Sequence, residues 1–319
     1  MSGMGLAYLA LEIAIILVAF RVAAEFITSA TNDLEDIFGQ GFAAGIVLGI
    51  IEALPETIVV IIAITQRSYD IAIGAALGGN IVLFSFGIGM VGLVYMRKWH
   101  TPLVMKDDYE VEFRFLTLST LVFVIIALYE QLNIFVGAVL VLLYIAYLLK
   151  RYSKAHDMFV KNEGEETIKA GIFHASAYIL IGFLIVLVAS APLVGDISQI
   201  ASIIQIPALW LSLVIIPIVS DLGENINGYR LANGRRGGGS TAIVSFIGSK
   251  LENNTLLLGL ICVFALPNLP ISNALPEFIS VIAVNLIALL VMKRGKLNYI
   301  TSASLIVLYF LVIAISFIA

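Results

Sequence analysis

The amino-acid sequence predicts an all-α polytopic membrane protein in which about ten transmembrane helices form two inverted five-helix repeats. Three observations support this prediction: the composition, a series of long apolar runs, and polar clusters that recur in each half. The chain has 319 residues, of which 61% are hydrophobic and only 13% are charged. Because soluble domains contain about 25% charged residues, the composition excludes an ordinary soluble protein.

Apolar runs long enough to cross a bilayer give the number of helices. A transmembrane helix needs about 20 apolar residues to cross roughly 30 Å of hydrocarbon. About ten runs approach this length, although the fourth is short. They cover approximately residues 5–29, 40–64, 71–96, 115–129, 133–149, 171–192, 205–229, 239–264, 275–292 and 299–318. Because the first run is long and no basic segment precedes it, we expect a retained helix rather than a cleaved signal peptide.

The distribution of basic residues predicts the orientation. With ten spans, the loops after spans three, five, seven and nine share one face, which holds fifteen of the 18 lysines and arginines. The opposite face holds only Arg67, while Arg21 and Lys250 fall inside spans. Because cytoplasmic loops are rich in Lys and Arg, we predict a multi-pass protein of the cell membrane with both termini on the non-cytoplasmic side.

A polar segment divides the chain into two halves. Residues 150–170 form a predicted cytoplasmic hydrophilic loop between a first five-span repeat (1–149) and a second five-span repeat (171–319). Because each half has an odd number of spans, the second half must enter the membrane from the opposite side. Inverted repeats of this kind are common in transporters, whose sites lie near the midplane between the repeats.

The two halves also place their polar residues alike. In each half the second span carries an acidic cluster, "IIEALPETI" or "IVSDLGENI", and the third span is rich in glycine. Aligning Glu56 with Glu224 brings segment 78–80 near segment 248–250, with a difference of two residues in the loop. The clusters are therefore expected to face each other across the repeat interface.

The acidic clusters contain groups that could bind a cation. Pro55 removes a backbone donor beside Glu56, and a glycine holds the corresponding place beside Glu224. Ionisable groups inside spans are costly and usually functional. Hard cations such as Ca²⁺ take about six to eight oxygen ligands from carboxylates, amides and carbonyls. We therefore predict a cation site with Glu56 and Glu224 as metal ligands, to which Asn80 and Asn225 add further oxygens.

Four more polar residues could modulate this site. Glu52 and Asp221 share helix faces with the acids that follow them, although each also fits a solvated place at an interfacial helix end. Lys250 lies about eleven positions into the eighth span, roughly 16 Å from its start. It could form an ion pair with Glu224 or Glu252 that holds the bundle together. Alternatively, its ammonium occupies a place where a mobile cation would otherwise bind.

At these motifs the sequence resembles the calcium/cation antiporter superfamily, which includes sodium/calcium and proton/calcium exchangers. "LGIIEALPET" is similar to the first family repeat, and "PIVSDLGEN" is nearer to the second repeat of the proton-coupled branch. "AIGAALGGNIVLFSFG" and "AIVSFIGSKLENN" match the Gly-Ser-Asn-type segments in part. The resemblance implies a secondary antiporter that exchanges Ca²⁺ for H⁺ or Na⁺ by alternating access, with Glu56 and Glu224 as paired carboxylates. The ions would be substrates, and no cofactor is expected.

Departures from the family pattern bear on the counter-ion. Leu83 stands where sodium/calcium exchangers usually have a polar ligand, and Ala53 and Gly79 replace hydroxyl-bearing residues. Asn253 retains a polar group at the other late position and is a candidate cation ligand. Lys250 replaces the asparagine of a Gly-Ser-Asn segment, which would lower the number of counter-ions and repel a divalent cation. Because several oxygens expected around sodium are missing, the sequence favours H⁺ over Na⁺.

Other functions remain open. The same fold could carry a different cation, and a non-transporting scaffold or sensor would also fit the missing ligands. In "TNDLEDIF", Asn32, Asp33 and Asp36 look like the Mg²⁺-diphosphate motif of membrane prenyltransferases, but this alternative leaves the shared plan of the two halves unexplained. We predict a membrane transporter rather than an enzyme, with inorganic cations and the lipid bilayer as partners and no nucleic acid. The sequence leaves the oligomeric state open.

Overall fold

The computed structural model describes residues 3–38, 48–106, 109–156, 165–265 and 268–318. In these ranges the chain is almost entirely helical, as its composition predicts. The first half runs through α1 (Gly3–Phe38), α2 (Leu48–Thr65), α3 (Tyr69–Ile81), a π-helix (Val82–Gly87), α4 (Ile88–Trp99), α5 (Glu110–Tyr129) and α6 (Ile134–His156).

The second half follows the same order of elements. It runs through α7 (Glu165–Ile204), α8 (Ala208–Ser220), α9 (Leu222–Gly234), α10 (Gly238–Glu252), a π-helix (Asn253–Leu257), α11 (Leu258–Phe264), a 3₁₀ turn (Ser272–Ala274), α12 (Leu275–Arg294) and α13 (Tyr299–Ile318). In both halves the third predicted span is one continuous helix with a π-helical turn after its polar segment. The predicted loop 150–170 is partly helical, because α6 continues to His156 and α7 begins at Glu165; residues 157–164 lie outside the described ranges.

Each predicted span overlaps a helix or consecutive helices of the structure, and residues 40–47 of the second span lie outside the described ranges. Within the described residues, seven helices are long and apolar enough to cross a membrane, or eight when the bent pair α8 and α9 counts as one span. The helices of the second and eighth predicted spans, which carry Glu56 and Lys250, do not meet this criterion within the described residues. The count of ten spans and the inverted repeat therefore stay predictions.

The two acidic clusters differ in backbone geometry. Pro55 lies inside α2 without ending it, although proline removes a backbone hydrogen-bond donor from the helix. In the second half the helix does break, because α8 ends at Ser220, α9 begins at Leu222, and the two axes differ by 43°. Asp221 lies at this joint with φ −90° and ψ 0°. The second cluster therefore sits at a helix terminus and the first sits within a helix.

The helix formed by α3, the π-helix and α4 is the most enclosed part of the fold. In its most apolar window 94% of the residues are buried, against 22% for α6 and for α13. Close contact with α8 requires glycine on this helix: a Cβ atom at Gly78 would lie 2.6 Å from Cγ of Pro217. This approach brings the polar segment after Gly78 close to the broken helix of the second half.

Two short antiparallel ribbons join loops from both halves. β1 (Leu103–Val104) follows α4 and pairs with β4 (Lys296–Leu297), which precedes α13. β2 (Gln131–Asn133) follows α5 and pairs with β3 (Asn268–Pro270), which follows α11. If the two halves are five-span repeats, β1 corresponds to β3 and β2 corresponds to β4. Exchanging the halves then converts the ribbon of β1 and β4 into the ribbon of β3 and β2. This is the pattern that two related repeats would produce.

Candidate cation-binding site

One lysine and three carboxylates form a buried cluster between the halves. Nζ of Lys250 lies 2.9 Å from Oε2 of Glu56, 2.9 Å from Oδ1 of Asp221 and 3.7 Å from Oε1 of Glu224. The lysine side chain is fully buried, and none of the three acidic side chains is more than 5% exposed. The fold thus brings Glu56 and Glu224, the two predicted metal ligands, to the same ammonium group.

Local backbone structure positions these groups. Asp221 lies at the joint between α8 and α9, and Glu224 lies in the first turn of α9. A helix N-terminus favours acidic side chains because its unpaired N–H groups carry partial positive charge. Lys250 lies near the end of α10, just before the π-helix, and Glu56 comes from α2. The break in the seventh span therefore presents two carboxylates of one short segment to a lysine of the next helix.

Ser249 and Asn225 support the carboxylates of the second half. The hydroxyl of Ser249 donates a 2.7 Å hydrogen bond to Oε2 of Glu224. Nδ2 of Asn225 donates to the backbone oxygen of Asp221 at 3.0 Å, and the hydroxyl of Tyr229 donates to Oδ1 of Asn225 at 2.9 Å. Asn225 therefore connects the start of α9 at Asp221 with Tyr229 on the same helix, and its role as a direct cation ligand stays a prediction.

Three asparagines form a neutral layer of the site. Nδ2 of Asn80 donates a 2.5 Å hydrogen bond to Oδ1 of Asn254. Among the described residues, Oδ1 of Asn80 and both polar atoms of Asn253 are buried without a hydrogen-bond partner. Two of the three asparagines predicted as ligands, Asn80 and Asn253, thus lie in the interior with unpartnered side-chain oxygens.

Two carboxylate oxygens of the cluster are also buried without a hydrogen-bond partner among the described residues. Oε1 of Glu56 and Oδ2 of Asp221 are buried and have no hydrogen-bond partner within the described part of the chain. Gly79 lies beside the first of them, because a Cβ atom there would be 2.7 Å from Oε1 of Glu56 and 2.6 Å from Nδ2 of Asn253. The glycine therefore leaves room next to the side chains of Glu56 and Asn253, and each of these two atoms lacks a hydrogen-bond partner in the described ranges.

Glu252 has its own hydrogen-bonding partners. The hydroxyl of Thr57 donates to its Oε1 at 2.7 Å, and the hydroxyl of Tyr144 donates to its Oε2 at 2.8 Å. Residues two positions apart on a helix do not face each other, so Glu252 points away from Lys250. The expected ion pair between Lys250 and Glu252 is therefore wrong, whereas the alternative pair with Glu224 is present.

The structure also decides one other expectation and leaves two open. The solvated position considered for Asp221 is wrong, because its side chain is 1% exposed. In the predicted prenyltransferase motif, Oδ2 of Asp33 lies 2.5 Å from Nδ1 of His174, while the side chains of Asn32 and Asp36 lie outside the described part of the structure. The side chain of Glu52 also lies outside it, so the modulating role of Glu52 stays a prediction.

Several residues of the site were missed by sequence reasoning. Ser249, Asn254 and Tyr144 were not proposed, and Thr57 appeared only as part of a motif. Asn254 could have been found as the neighbour of Asn253 in "LENNT", and Tyr144 as a hydroxyl within the apolar fifth span. Ser249 directly precedes Lys250, but the small residue alone gives no signal of its bond to a carboxylate.

The cluster has the chemistry of a cation site that already contains a cation. Within the described residues, no group of three or more His, Cys, Asp or Glu side chains is arranged to hold a metal ion by itself. The three carboxylates instead surround an ammonium group. Three negative charges and one positive charge leave a formal net charge of −2, which one divalent or two monovalent cations would balance.

Comparisons with known proteins identify relatives of this chain and of its fold. The sodium/calcium exchanger protein family model matches residues 7–152 and 174–318. Inner membrane protein YrbG of Escherichia coli (strain K12) is 28% identical over 225 residues, which are 67% of this chain and 66% of that protein, just under two thirds of its length. A crystal structure of the H⁺/Ca²⁺ exchanger CAX has a TM-score of 0.78 at 19% identity, covering 97% of this chain and 86% of the other. The sodium-calcium exchanger NCX_Mj, soaked with 10 mM Na⁺ and zero Ca²⁺, has a TM-score of 0.67 at 18% identity, covering 97% and 99%.

Proposed function

The chain belongs to the sodium/calcium exchanger protein family, and on that premise we propose that it is a secondary antiporter that exchanges Ca²⁺ for H⁺ or Na⁺ by alternating access. Glu56 and Glu224 act as the paired carboxylates that bind the divalent cation near the midplane. Asn80 and Asn253 supply amide oxygens. The ions are substrates of the protein, and the proposal requires no resident cofactor.

The observation that carries this proposal is the convergence of carboxylates from both halves on one buried point. A buried polar group that lacks a hydrogen bond costs about 1–3 kcal/mol. Oε1 of Glu56, Oδ2 of Asp221, and Oδ1 of Asn80 and of Asn253 are all of this kind among the described residues. Carboxylate and amide oxygens are the ligands that Ca²⁺ takes in proteins. A transported cation would satisfy these oxygens together.

The proposed orientation and repeat follow from charge and connectivity. Fifteen basic residues on one set of loops support a cytoplasmic position for those loops and a non-cytoplasmic position for both termini. The two ribbons support an inverted relation between repeats 1–149 and 171–319, because each ribbon joins loops that would share a face. In this arrangement Glu56 and the joint at Asp221 approach the midplane from opposite sides.

Protons are our preferred counter-ion. Leu83 and Ala53 are buried and offer no side-chain oxygen, so the first half lacks groups that a sodium site would use. A carboxylate can instead exchange a metal ion for a proton. The fold comparison with the H⁺/Ca²⁺ exchanger, at a TM-score of 0.78 against 0.67 for the sodium-coupled protein, is consistent with this preference.

Transport by the purified protein in liposomes tests the proposal. We would measure Ca²⁺ uptake under an imposed proton gradient and then under a sodium gradient, with Glu56→Gln and Glu224→Gln alongside. Glu130→Gln is the matched control, because it removes a carboxylate from the turn between α5 and β2. We expect proton-driven uptake that both site variants abolish and the control retains.

Each other outcome has a defined meaning. Sodium-driven uptake alone would reject protons as the counter-ion and keep the two-carboxylate site. Full activity of Glu56→Gln or Glu224→Gln would reject the proposed ligands. Absence of uptake under both gradients would reject calcium antiport, and the same assay with other cations would then test a different cargo.

A further inference from the structure

Lys250 lies where a bound cation would be expected. Its Nζ atom is within 2.9 Å of two carboxylates and 3.7 Å from a third, and these come from α2, from the joint at Asp221 and from α9. The side chain has no exposed surface. An ammonium group has three N–H donors and no acceptor, so it can satisfy carboxylate oxygens as a small cation does.

We propose that the ammonium of Lys250 is a tethered cation that permanently takes the place of one monovalent cation in the exchange cycle. The inference rests on the proposed antiport function and specifies its stoichiometry. With the lysine in place, the four charged groups have a net charge of −2 and one Ca²⁺ balances them. Without it, the three carboxylates have a net charge of −3, and one additional monovalent cation must enter the site.

Burial keeps the ammonium in this position. Moving an unpaired charge into an apolar environment is far more costly than leaving it among its partners. The residues one turn away from the lysine along the chain are all buried, so no exposed surface lies beside its side chain there: Phe246, Ile247, Asn253 and Asn254. Lys250 therefore stays with the carboxylates in the cycle, in contrast to a cation that exchanges with either side.

Asp221 is the carboxylate that the lysine neutralises. Glu56 and Glu224 are the predicted ligands of the divalent cation, and Asp221 is the third acid, 2.9 Å from Nζ. If the lysine compensates Asp221, then removing both should restore the original charge balance. Lys250→Met combined with Asp221→Asn provides this test, because the double variant has no lysine and a net charge of −2.

Binding of monovalent cations measures the proposed stoichiometry directly. We would count ²²Na⁺ bound per chain in purified protein at high pH, where protons compete least, for the wild type, Lys250→Met, Lys250→Arg and the double variant. We expect Lys250→Met to bind one more Na⁺ per chain than the wild type. Lys250→Arg, which keeps the tethered charge, and the double variant should bind the same number as the wild type. An unchanged count for Lys250→Met, or an equal gain for Lys250→Arg, would overturn the inference.

Thermal unfolding provides a second test if Lys250→Met is too unstable for binding studies. A cation that binds only the folded state raises the unfolding temperature as its concentration increases. NaCl should therefore stabilise Lys250→Met more than the wild type or the double variant, with choline chloride as the control for ionic strength. Lack of this stabilisation would overturn the inference.

Transport separates this inference from the proposed function. In liposomes, the number of monovalent cations exchanged per Ca²⁺ should be one higher for Lys250→Met than for the wild type. An unchanged ratio with active Ca²⁺ transport would reject the tethered cation and keep the antiporter. Gain of one bound Na⁺ without any Ca²⁺ transport would reject calcium antiport and keep the tethered cation.

Discussion

The two halves of the chain bring different residues to corresponding places around the cation site. With Glu56 aligned to its counterpart in the second half, Ala53 corresponds to Asp221 and Asn80 to Lys250. The first half thus contributes an apolar and a neutral polar residue where the second contributes an acid and a base. The additional acid and base are in contact at 2.9 Å, so each half contributes a net charge of −1 to the site.

The second half accommodates a buried lysine together with an additional carboxylate, and the two are in contact. Removing one partner of a buried ion pair leaves an uncompensated charge, which is strongly destabilising. A lysine without Asp221 would also reduce the net charge of the site to −1, which is too little for a divalent cation. The second half therefore differs from the first in its charged groups, while the balance of charge is the same.

The largest effect is expected when Lys250 and the corresponding residue of the first half, Asn80, are each substituted and the losses of stability are compared. Lys250→Met should lower the free energy of unfolding by about 3–5 kcal/mol, because it leaves three buried carboxylates without their cation. Asn80→Leu removes a neutral hydrogen bond to Asn254 and should cost about 1–3 kcal/mol. Unfolding temperatures of the purified variants in buffer without added metal ions would measure this. Equal losses at the two positions would contradict the asymmetry of the halves.

A smaller effect is expected from the hydroxyl that only the second half contains. Ser249→Ala removes the hydrogen bond to Glu224, and bonds to charged groups contribute about 1.5–3 kcal/mol. The matched control is Ser202→Ala, because Ser202 is exposed and bonds only to a carbonyl of its own helix. The control should change stability by less than about 0.5 kcal/mol. Similar unfolding temperatures for the two variants would show that the bond to Glu224 contributes nothing.

The fold could be predicted from the sequence to a large extent, because apolar runs and basic loops follow directly from the properties of a bilayer. The match to the sodium/calcium exchanger family confirms the resemblance found at the acidic clusters. The break at Asp221 was harder to predict, because Pro55 is the stronger helix-breaking signal and yet lies within a continuous helix. A proline inside a helix costs one hydrogen bond, which packing around α2 can offset.

The partners of Lys250 were predicted only in part, because Glu224 is among them but Glu56 and Asp221 were not foreseen. Glu252 could have been excluded from the sequence, since residues two positions apart on a helix point in different directions. Glu56 is 194 positions from Lys250, and its contact depends on how α2 and α10 are rotated against each other. The contact between Asp221 and Lys250 depends on the helix break between α8 and α9. These contacts are set by tertiary packing, for which a single sequence contains no direct signal.

A still smaller effect is expected at Gly79, the first-half counterpart of Ser249. The Cβ atom of Gly79→Ala would lie 2.6 Å from Nδ2 of Asn253 and 2.7 Å from Oε1 of Glu56, and overpacking costs about 1–3 kcal/mol. Both neighbours are ends of side chains that can move, and alanine gains about 0.5–1 kcal/mol over glycine in a helix. The net loss of stability should therefore be about 1 kcal/mol or less, measured by thermal unfolding. Ca²⁺ affinity should fall more clearly, because the displaced atoms belong to the proposed ligands. An unchanged affinity would show that the space beside Gly79 is not used by the cation.

The smallest effect is expected from an exposed ion pair of the first half. Arg114 and Glu110 form an i,i+4 pair in the first turns of α5, with side chains 66% and 63% exposed. Solvent screens such pairs, which contribute about 0.3–0.5 kcal/mol when they lie on one helix. Arg114→Gln should therefore leave the unfolding temperature nearly unchanged, although it removes the same charge as Lys250→Met. A loss comparable to that of Lys250→Met would mean that an exposed basic residue contributes as much to the stability of this protein as Lys250 does. A negligible loss would attribute the effect of Lys250 to its burial among three carboxylates, which is the feature that distinguishes the second half from the first.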